Sequence, residues 1–192
     1  MTTTSSPLAA QARWQSPLGP MTLAATRDGL AGAWFDAQRH HPGPLPAPVD
    51  DAQRWIALAR EQLAAYFDGR LREFSVPLDL RGTPFQRAVW RALCGIVAGA
   101  TRTYAEMAQA VGAPAAARAA GAAIGRNPVS VIVPCHRVIG RDGSLTGYAG
   151  GLPRKQALLA LEGAMIFRQR PLRNDHRPDR AFAEAAAIDC RP

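Results

Sequence analysis

Apolar and polar positions alternate in the first part of the chain in a way that predicts a small sheet followed by one helix. Two apolar runs, 21–25 and 30–35, flank Arg27-Asp28-Gly29, a typical turn sequence, and together they predict a β-hairpin. Beyond a proline-rich loop, apolar side chains recur at helical spacing across residues 51–67 and predict an amphipathic helix. Residues 74–80 are expected to form a strand or an extended linker.

The second half of the chain carries helix start signals. Thr83 with Gln86, and Thr103 with Glu106, each have the pattern of a capping box, in which an N-cap residue is followed three positions later by Gln or Glu. The first opens a helix to about position 94 and the second a short helix to about position 111. An alanine-rich helix is expected at about 115–126. Two short helices joined by a Gly/Pro turn are typical of a helix-turn-helix, although many helix pairs share this pattern.

Apolar residues at 129–133 predict a buried strand that leads directly to Cys135, and a last helix is expected over about 153–162. These elements predict the fold class. We expect an α/β N-terminal domain with a small β-sheet over residues 1–80, followed by a mainly α C-terminal domain over residues 81–166 that contains the helix-turn-helix and a buried cysteine. Residues 167–192 would form a C-terminal tail.

Composition narrows the class of protein. Hydrophobic residues make up 47% of the 192 residues, which is enough for a packed core and excludes a disordered or fibrous chain. No apolar run approaches the roughly 20 residues that a membrane helix needs, and the first residues lack a secretory pattern, so a cytoplasmic protein is expected. Three scattered cysteines, Cys94, Cys135 and Cys190, argue against a disulfide framework, and the lack of zinc-like spacing predicts no bound metal.

Positive charge is concentrated in one part of the chain. The net charge is +8, yet residues 1–80 hold seven basic and eight acidic side chains. Residues 81–166 hold ten basic side chains against three acidic ones, and residues 167–192 hold six against four. This division favours a polyanion such as nucleic acid as the partner of the middle segment, although charge alone equally allows a general contribution to solubility.

Cys135 is the strongest candidate for a reactive side chain. It is followed by His136 and Arg137, and neighbouring positive charge favours the nucleophilic thiolate; the alternative is a small buried core residue. Glu162 stands at the C-terminal end of a predicted helix, where an acid opposes the helix dipole, so a basic partner such as His136 is expected. A solvated surface Glu is the alternative. Cys94 lies at another predicted helix C-terminus and fits a structural role better.

These residues belong to a series of motifs that resembles the O6-alkylguanine-DNA alkyltransferases, also called methylated-DNA–protein-cysteine methyltransferases. The active-site signature is matched by PCHRVIG at 134–140, preceded by Asn127-Pro128. The resemblance covers about residues 80–166 in the family's order and spacing, and residues 1–80 resemble the family's variable N-terminal domain in outline only. The further motifs are GTPFQRAVW at 82–90, TYAEMA at 103–108, AARAAG at 116–121, GYAGG at 147–151 and LLALEG at 158–163.

The resemblance implies catalytic roles for five side chains. Cys135 would be the active-site cysteine that accepts the alkyl group, His136 would activate it through a water, and Glu162 would hold and polarise His136. Asn127 would brace the turn between the alanine-rich helix at about 115–126, which is the recognition helix of the helix-turn-helix, and the segment that contains Cys135. Tyr104 would donate a proton to the guanine ring as it leaves.

The resemblance also implies a DNA surface and a guanine pocket. Arg118, on the recognition helix, would enter the base stack in place of a flipped nucleotide. Some relatives have Pro where Ser130 stands and Ser where Ala149 stands. The backbone carbonyls of Cys135 and Val138 would read the exocyclic amine. The other implied DNA contacts are Thr103, Ala119 and Arg126, and the pocket would be lined by Tyr104, Val138, Tyr148, Ala149 and Ser130.

The function implied is DNA repair by direct reversal. The substrate would be double-stranded DNA with O6-alkylguanine, with O4-methylthymine as a further candidate base, and no cofactor or membrane would take part. The protein would act once, as a cytoplasmic, nucleoid-associated monomer. The alternatives are an alkyltransferase-like protein that binds lesions without repair, a helix-turn-helix regulator with Cys135 as redox sensor, and a cysteine hydrolase. The presence of Cys135 argues against the lesion-binding protein, and the lack of a dimerisation segment argues against the regulator. The positive charge of residues 81–166 argues against a hydrolase of small neutral substrates.

Overall fold

Three antiparallel strands form the N-terminal part of the fold. The computed structural model describes residues 7–164, in which β1 (Ala10–Ser16), β2 (Gly19–Ala25) and β3 (Leu30–Phe35) lie in the order β1-β2-β3. The predicted hairpin is formed by β2 and β3 and is confirmed. The sequence does not reveal β1, because small or polar side chains occupy its buried positions and give a weak hydrophobic alternation.

One helix packs on this sheet. The predicted amphipathic helix is confirmed as α1 (Arg54–Phe67), which contacts all three strands. It begins later than position 51 because the Gln53 side chain accepts hydrogen bonds from the backbone N–H groups of Trp55 and Ile56 and caps its first turn. Its buried face is formed by Ile56, Ala59, Leu63 and Tyr66.

Residues 74–80 form an extended linker rather than a regular strand. Leu30 donates its N–H to the Pro77 carbonyl (2.7 Å), and the Asp79 N–H donates to the Leu30 carbonyl (2.9 Å). These two bonds make Leu78 an isolated parallel bridge partner of Leu30. The linker therefore runs along the sheet before the chain enters its helical part.

The rest of the described chain is mainly helical. Its elements are α2 (Pro84–Cys94), β4 (Arg102–Thr103), α3 (Tyr104–Ala110), a 3-10 turn (Pro114–Ala116), α4 (Ala117–Gly125), β5 (Val138–Ile139) and α5 (Leu152–Leu161). Both predicted capping boxes are present, at Thr83 and at Thr103. α3 and α4 pack against each other and against α2, and they form the predicted helix-turn-helix. β4 and β5 pair in parallel.

The prediction of a buried strand at residues 129–133 is wrong, since this segment is a buried turn. Two of its backbone bonds close the turn on itself: Ile132 donates to the Ser130 carbonyl, and Val133 donates to the Val129 carbonyl, both at 3.0 Å. Only Val129 has a strand-like partner, an isolated bridge to Ala33. The apolar run is explained by burial of the whole turn in the core, which hydrophobicity alone cannot distinguish from a strand.

The edge of the N-terminal sheet joins this turn. The Ala33 N–H of β3 donates to the Pro128 carbonyl (2.9 Å), and the Ser130 N–H donates to the Ala33 carbonyl (2.8 Å). One hydrophobic core runs through both parts of the chain. The predicted fold class, an α/β N-terminal part and a mainly α C-terminal part with a helix-turn-helix, is confirmed.

The remaining predictions concern the domain boundaries, the C-terminal tail, membrane helices and metal sites. The boundaries 1–80 and 81–166 stay predictions, and the predicted tail at 167–192, with Cys190, lies outside the described residues. Within residues 7–164, no helix has both the length and the apolar character needed to cross a membrane. Over the same range, no three His, Cys, Asp or Glu side chains come together as a candidate metal site.

Candidate active site

Asn127 organises the turn that precedes Cys135. Its Oδ1 accepts a hydrogen bond from the Val129 N–H (3.0 Å), and its Nδ2 donates to the Val133 carbonyl (2.8 Å). The same Nδ2 lies 3.0 Å from the Cys135 Sγ and donates to it. Since Asn127 is buried, one amide satisfies backbone groups on both sides of the turn and also contacts the sulfur.

The turn contains a strained residue. Val131 has a φ of +74°, in the left-handed region, although it is β-branched and fully buried. A β-branched residue in this conformation costs free energy and persists only where the surroundings hold it. The bonds of Asn127 across the turn are among the contacts that hold this conformation.

Cys135 begins a second 3-10 turn (Cys135–Arg137), and only 3% of its surface is exposed. Burial raises the pKa of the Cys135 thiol to about 11, while the hydrogen bond from Asn127 and the charge of Lys155 act in the opposite direction. At neutral pH the sulfur is therefore a protonated thiol, and it needs a base before it can act as a nucleophile.

Glu162, at the C-terminal end of α5, is brought next to His136. The His136 Nε2 and the Glu162 Oε1 are 2.9 Å apart, and Arg137 donates to both carboxylate oxygens, at 2.7 Å and 2.9 Å. Burial alone would raise the pKa of Glu162, but hydrogen bonds from His136 and Arg137 outweigh it and hold that pKa well below its usual range. The buried carboxylate is therefore ionised and paired.

His136 is fully buried and suited to act as a base. Burial lowers the pKa of His136, although the bond to Glu162 opposes this effect. In a neutral imidazole, the ring nitrogen that donates to Glu162 is Nε2, so Nδ1 carries the free lone pair. Nδ1 has no hydrogen-bond partner within the part of the chain that the structure describes, and it is free to accept a proton.

The two candidate tyrosines meet at the glycine-rich loop 147–151. The Tyr104 hydroxyl donates to the carbonyls of Thr146 (3.1 Å) and Gly147 (3.3 Å), which ties the start of α3 to this loop. The Tyr148 ring stands edge-on to the His136 ring, with 6.5 Å between centroids. Tyr104 is thus held against this loop, and Tyr148, which belongs to the loop, lies against His136.

Two pocket candidates contact the N-terminal part of the chain. The buried Ser130 hydroxyl donates to the Gln38 Oε1 (2.9 Å), and the Ala149 carbonyl accepts a hydrogen bond from the Arg39 N–H (2.9 Å). The loop after β3 therefore contacts both of these residues.

Lys155 is a buried side chain of the site that the sequence analysis missed. Its Nζ donates to the carbonyls of Val138 and Thr146, and burial lowers the pKa of Lys155 to about 8. Position 155 lies three and four residues before the apolar Leu158 and Leu159, so the helical period places it on the buried face of α5.

The candidate DNA-binding residues lie on and around the helix-turn-helix. Arg118 and Ala119 are exposed on the first turn of α4, and Arg126 is exposed just after its end. Thr103 is partly buried and caps α3. The opposite face of α4 is buried and consists of Ala120, Ala123 and Ile124.

Both parts of the chain match models of one protein family. Residues 84–164 match the 6-O-methylguanine DNA methyltransferase, DNA binding domain, and residues 11–80 match the 6-O-methylguanine DNA methyltransferase, ribonuclease-like domain. The chain belongs to the 6-O-methylguanine DNA methyltransferase family. Its activity is therefore the transfer of methyl groups from methylated DNA to a protein cysteine, which is DNA repair by direct reversal. The lesion-binding, regulatory and hydrolase alternatives are not favoured.

Relatives in this methyltransferase family are similar over most of the chain. The methylated-DNA–protein-cysteine methyltransferase of Mycolicibacterium paratuberculosis is 53% identical over 147 residues, which are 77% of this chain and 88% of that protein. That of Methanosarcina barkeri is 47% identical, over 77% of this chain and 93% of that protein. The crystal structure of Mycobacterium tuberculosis OGT in complex with DNA is 48% identical, with a TM-score of 0.73, over 81% of this chain and 93% of that chain.

Proposed function

We propose that Cys135 is the alkyl acceptor of this methyltransferase and that its substrate is O6-alkylguanine in double-stranded DNA. The observation that carries this proposal is a buried thiol, hydrogen-bonded by Asn127, that directly precedes the buried His136–Glu162 pair. A sulfur nucleophile with a base nearby suits attack on a saturated carbon. The experiment that tests it measures the protein mass after incubation with a duplex that contains O6-methylguanine.

The transfer exchanges one bond for another. His136 takes the thiol proton, directly or through a water, while the Cys135 sulfur attacks the alkyl carbon and the bond from that carbon to the guanine oxygen breaks. The electron pair moves into the guanine ring, which takes a proton from the Tyr104 hydroxyl as it leaves. Glu162 stays ionised and stabilises the imidazolium. The product is a thioether that none of these groups can cleave, so each molecule reacts once.

The guanine pocket follows from the same residues. Tyr148, Val138, Ala149 and Ser130 would line it, and the second lone pairs of the Cys135 and Val138 carbonyls would accept hydrogen bonds from the exocyclic amine. The proposed steps need no residue from a second chain, so a monomer could carry out the transfer. We also propose that the protein is cytoplasmic and associates with the nucleoid through the DNA that it binds.

The exposed side of α4 would face the DNA. A damaged base inside a duplex is out of reach of a buried sulfur, so the nucleotide must be flipped out of the stack. The small Ala119 side chain allows a close approach of α4 to a groove, and Arg118 beside it is long enough to fill the gap in the stack. Thr103 and Arg126 would contact the flanking backbone.

Replacement of Arg118 by Ala should slow repair of duplex DNA about tenfold and leave the reaction with free O6-benzylguanine nearly unchanged. The arginine would offset part of the unstacking cost, and a loss of about 1.4 kcal/mol corresponds to a factor of ten in rate. A free base needs no flipping. Single-turnover rates at saturating protein concentration, measured on both substrates, test this expectation.

Arg70→Ala is the matched control, because Arg70 is exposed in the N-terminal part and, among residues 7–164, its ion pair is with the exposed Asp68. We expect it to change neither rate. An equal fall on both substrates in Arg118→Ala would show that Arg118 supports the pocket. Weaker binding with an unchanged saturated rate would mean that it only contacts phosphate.

Binding to undamaged duplex should weaken steeply as salt rises. Each phosphate that a basic side chain neutralises releases a counterion, which gives a slope of about −0.9 per contact in a plot of log affinity against log salt. Since residues 81–166 hold ten basic side chains against three acidic ones, substitutions such as Arg126→Ala should reduce the slope and Arg70→Ala should not. A flat salt dependence, or equal effects of both substitutions, would contradict this interface.

A further inference from the structure

Tyr66 reaches the Glu162 carboxylate from the N-terminal part of the chain. Its hydroxyl donates to the Glu162 Oε1 at 2.7 Å, between residues 96 positions apart, and its side chain is buried. Burial, together with the nearby Glu162 carboxylate, raises the pKa of Tyr66, so the hydroxyl stays protonated and acts only as a donor. None of the roles proposed above uses this tyrosine.

Three side chains donate to one carboxylate oxygen. The Glu162 Oε1 accepts hydrogen bonds from Tyr66, from the His136 Nε2 (2.9 Å) and from the Arg137 Nη2 (2.7 Å) and Nε (3.2 Å). An ionised carboxylate has about four lone-pair sites on its two oxygens, so the three side chains compete for the charge of Oε1. The Tyr66 hydroxyl therefore weakens the pull of Glu162 on the His136 proton.

The surroundings hold this hydroxyl in place. The Tyr66 ring packs against Phe67 and Phe74, with ring centroids 5.4 Å and 5.3 Å away. The Arg72 Nη1, in the loop after α1, donates to the backbone carbonyl of Glu162 (3.3 Å). α1 and the loop that follows it thus contact Glu162 at both its side chain and its backbone.

We propose that Tyr66 is a positioning residue that tunes the basicity of His136 through Glu162, an inference that rests on the proposed function of the His136–Glu162 pair. By sharing Oε1, the hydroxyl limits how strongly the carboxylate stabilises an imidazolium. His136 then remains neutral, and able to accept the Cys135 proton, to a lower pH than it would beside an unshared carboxylate. The N-terminal part of the chain thereby takes part in the chemistry.

Other charged or titratable groups also face the pair from the elements packed around it. Removal of the Tyr66 hydroxyl leaves all of them in place, so a change in the titration of His136 reports the change at Glu162. These groups are Cys135, Arg137, Lys155 on α5, Tyr148 on the glycine-rich loop and Arg72 after α1.

Tyr66→Phe removes one oxygen and keeps the ring. We expect His136 to take up its proton about one pH unit higher than in the wild type, the effect of losing one hydrogen bond to a charged group. Because protonated His136 cannot act as a base, the single-turnover rate on O6-methylguanine duplex should fall at a correspondingly higher pH. NMR titration of the His136 imidazole and the pH–rate profile, both from about pH 8 to about pH 4, measure this.

Phe74→Leu is the matched control, since it disturbs the same ring cluster without touching Glu162. It should lower the thermal midpoint and leave the His136 titration unchanged. As a second variant, a fluorinated tyrosine at position 66 makes a stronger donor of nearly the same shape and should move the midpoint to lower pH. An unchanged midpoint in both Tyr66 variants, or a downward shift in Tyr66→Phe, would overturn the proposal.

Two further measurements separate this inference from the proposed function. Wild-type protein that takes no methyl group, or Glu162→Gln that reacts like the wild type, would refute the proposed roles of Cys135 or Glu162. The role of Tyr66 alone would be refuted by a different set of results. In that case the wild type is alkylated normally and Glu162→Gln is alkylated slowly, but the His136 midpoint in Tyr66→Phe is the same as in the wild type.

Discussion

Cys135→Ser is expected to abolish methyl transfer while DNA binding stays as in the wild type. A serine hydroxyl is far less acidic and far less nucleophilic than a thiol, so His136 can no longer generate a competent nucleophile. We expect the transfer rate to fall by at least about four orders of magnitude, as in other enzymes that lose their nucleophile. Serine is close in shape to cysteine and still accepts a hydrogen bond from Asn127, so the turn at residues 127–133 should persist.

Cys94→Ser provides the matched control, because Cys94 is exposed at the end of α2, outside the Asn127 turn and the His136–Glu162 pair. It should react at the wild-type rate. Transfer is measured with an excess of protein over O6-methylguanine duplex, and binding is measured with the same duplex. Methyl removal by Cys135→Ser at a rate near that of the wild type would show that another residue is the acceptor.

Asn127→Ala is expected to destabilise the fold and to slow the reaction together. The substitution leaves the buried Val129 N–H and Val133 carbonyl without their side-chain partner, and each such loss costs about 1–3 kcal/mol. For the two losses together we therefore expect a fall of about 2–6 kcal/mol in the free energy of unfolding. The Cys135 sulfur also loses the donor that favours its thiolate, so the thiol pKa should rise further and the transfer rate should fall.

Asn127→Asp and Gln53→Ala separate these two effects. Asp keeps the acceptor for Val129 but loses the donor to the sulfur and adds a negative charge, so it should raise the thiol pKa more than Ala does. Gln53→Ala removes the N-cap of α1, which is distant in sequence from Asn127. It should lower the free energy of unfolding by about 1 kcal/mol without changing the pKa of the Cys135 thiol. Urea unfolding measures the free energy of unfolding, and the pH dependence of Cys135 alkylation measures the thiol pKa. A wild-type thiol titration in Asn127→Asp would contradict the contact with the sulfur.

The elements that could be predicted were those with strong local signals. The capping boxes at Thr83 and Thr103 satisfy backbone N–H groups within one turn, so the sequence alone locates the starts of α2 and α3. The turn at residues 129–133 could not be predicted, because its conformation depends on the buried Asn127 amide and on the edge of β3. A local pattern contains no information about such distant partners.

The same distinction applies to the candidate site. Cys135 and His136 were identifiable because they are adjacent in a distinctive motif, and Glu162 because its position opposes the helix dipole. Tyr66 and Lys155 carry no such signal. Tyr66 occupies an ordinary core position of an amphipathic helix, and its hydroxyl gains a partner only when the tertiary fold brings the end of α1 to Glu162. Long-range contacts of this kind follow from the tertiary fold and not from local spacing.

The most direct test of the central claim is the intact mass of the protein after incubation with duplex DNA that contains one O6-methylguanine. The account predicts a gain equal to one methyl group per molecule, located on the peptide that contains Cys135, together with one unmodified guanine restored for each protein molecule consumed. No mass gain, a methyl group on a different residue, or repair of many lesions by one protein molecule would contradict it.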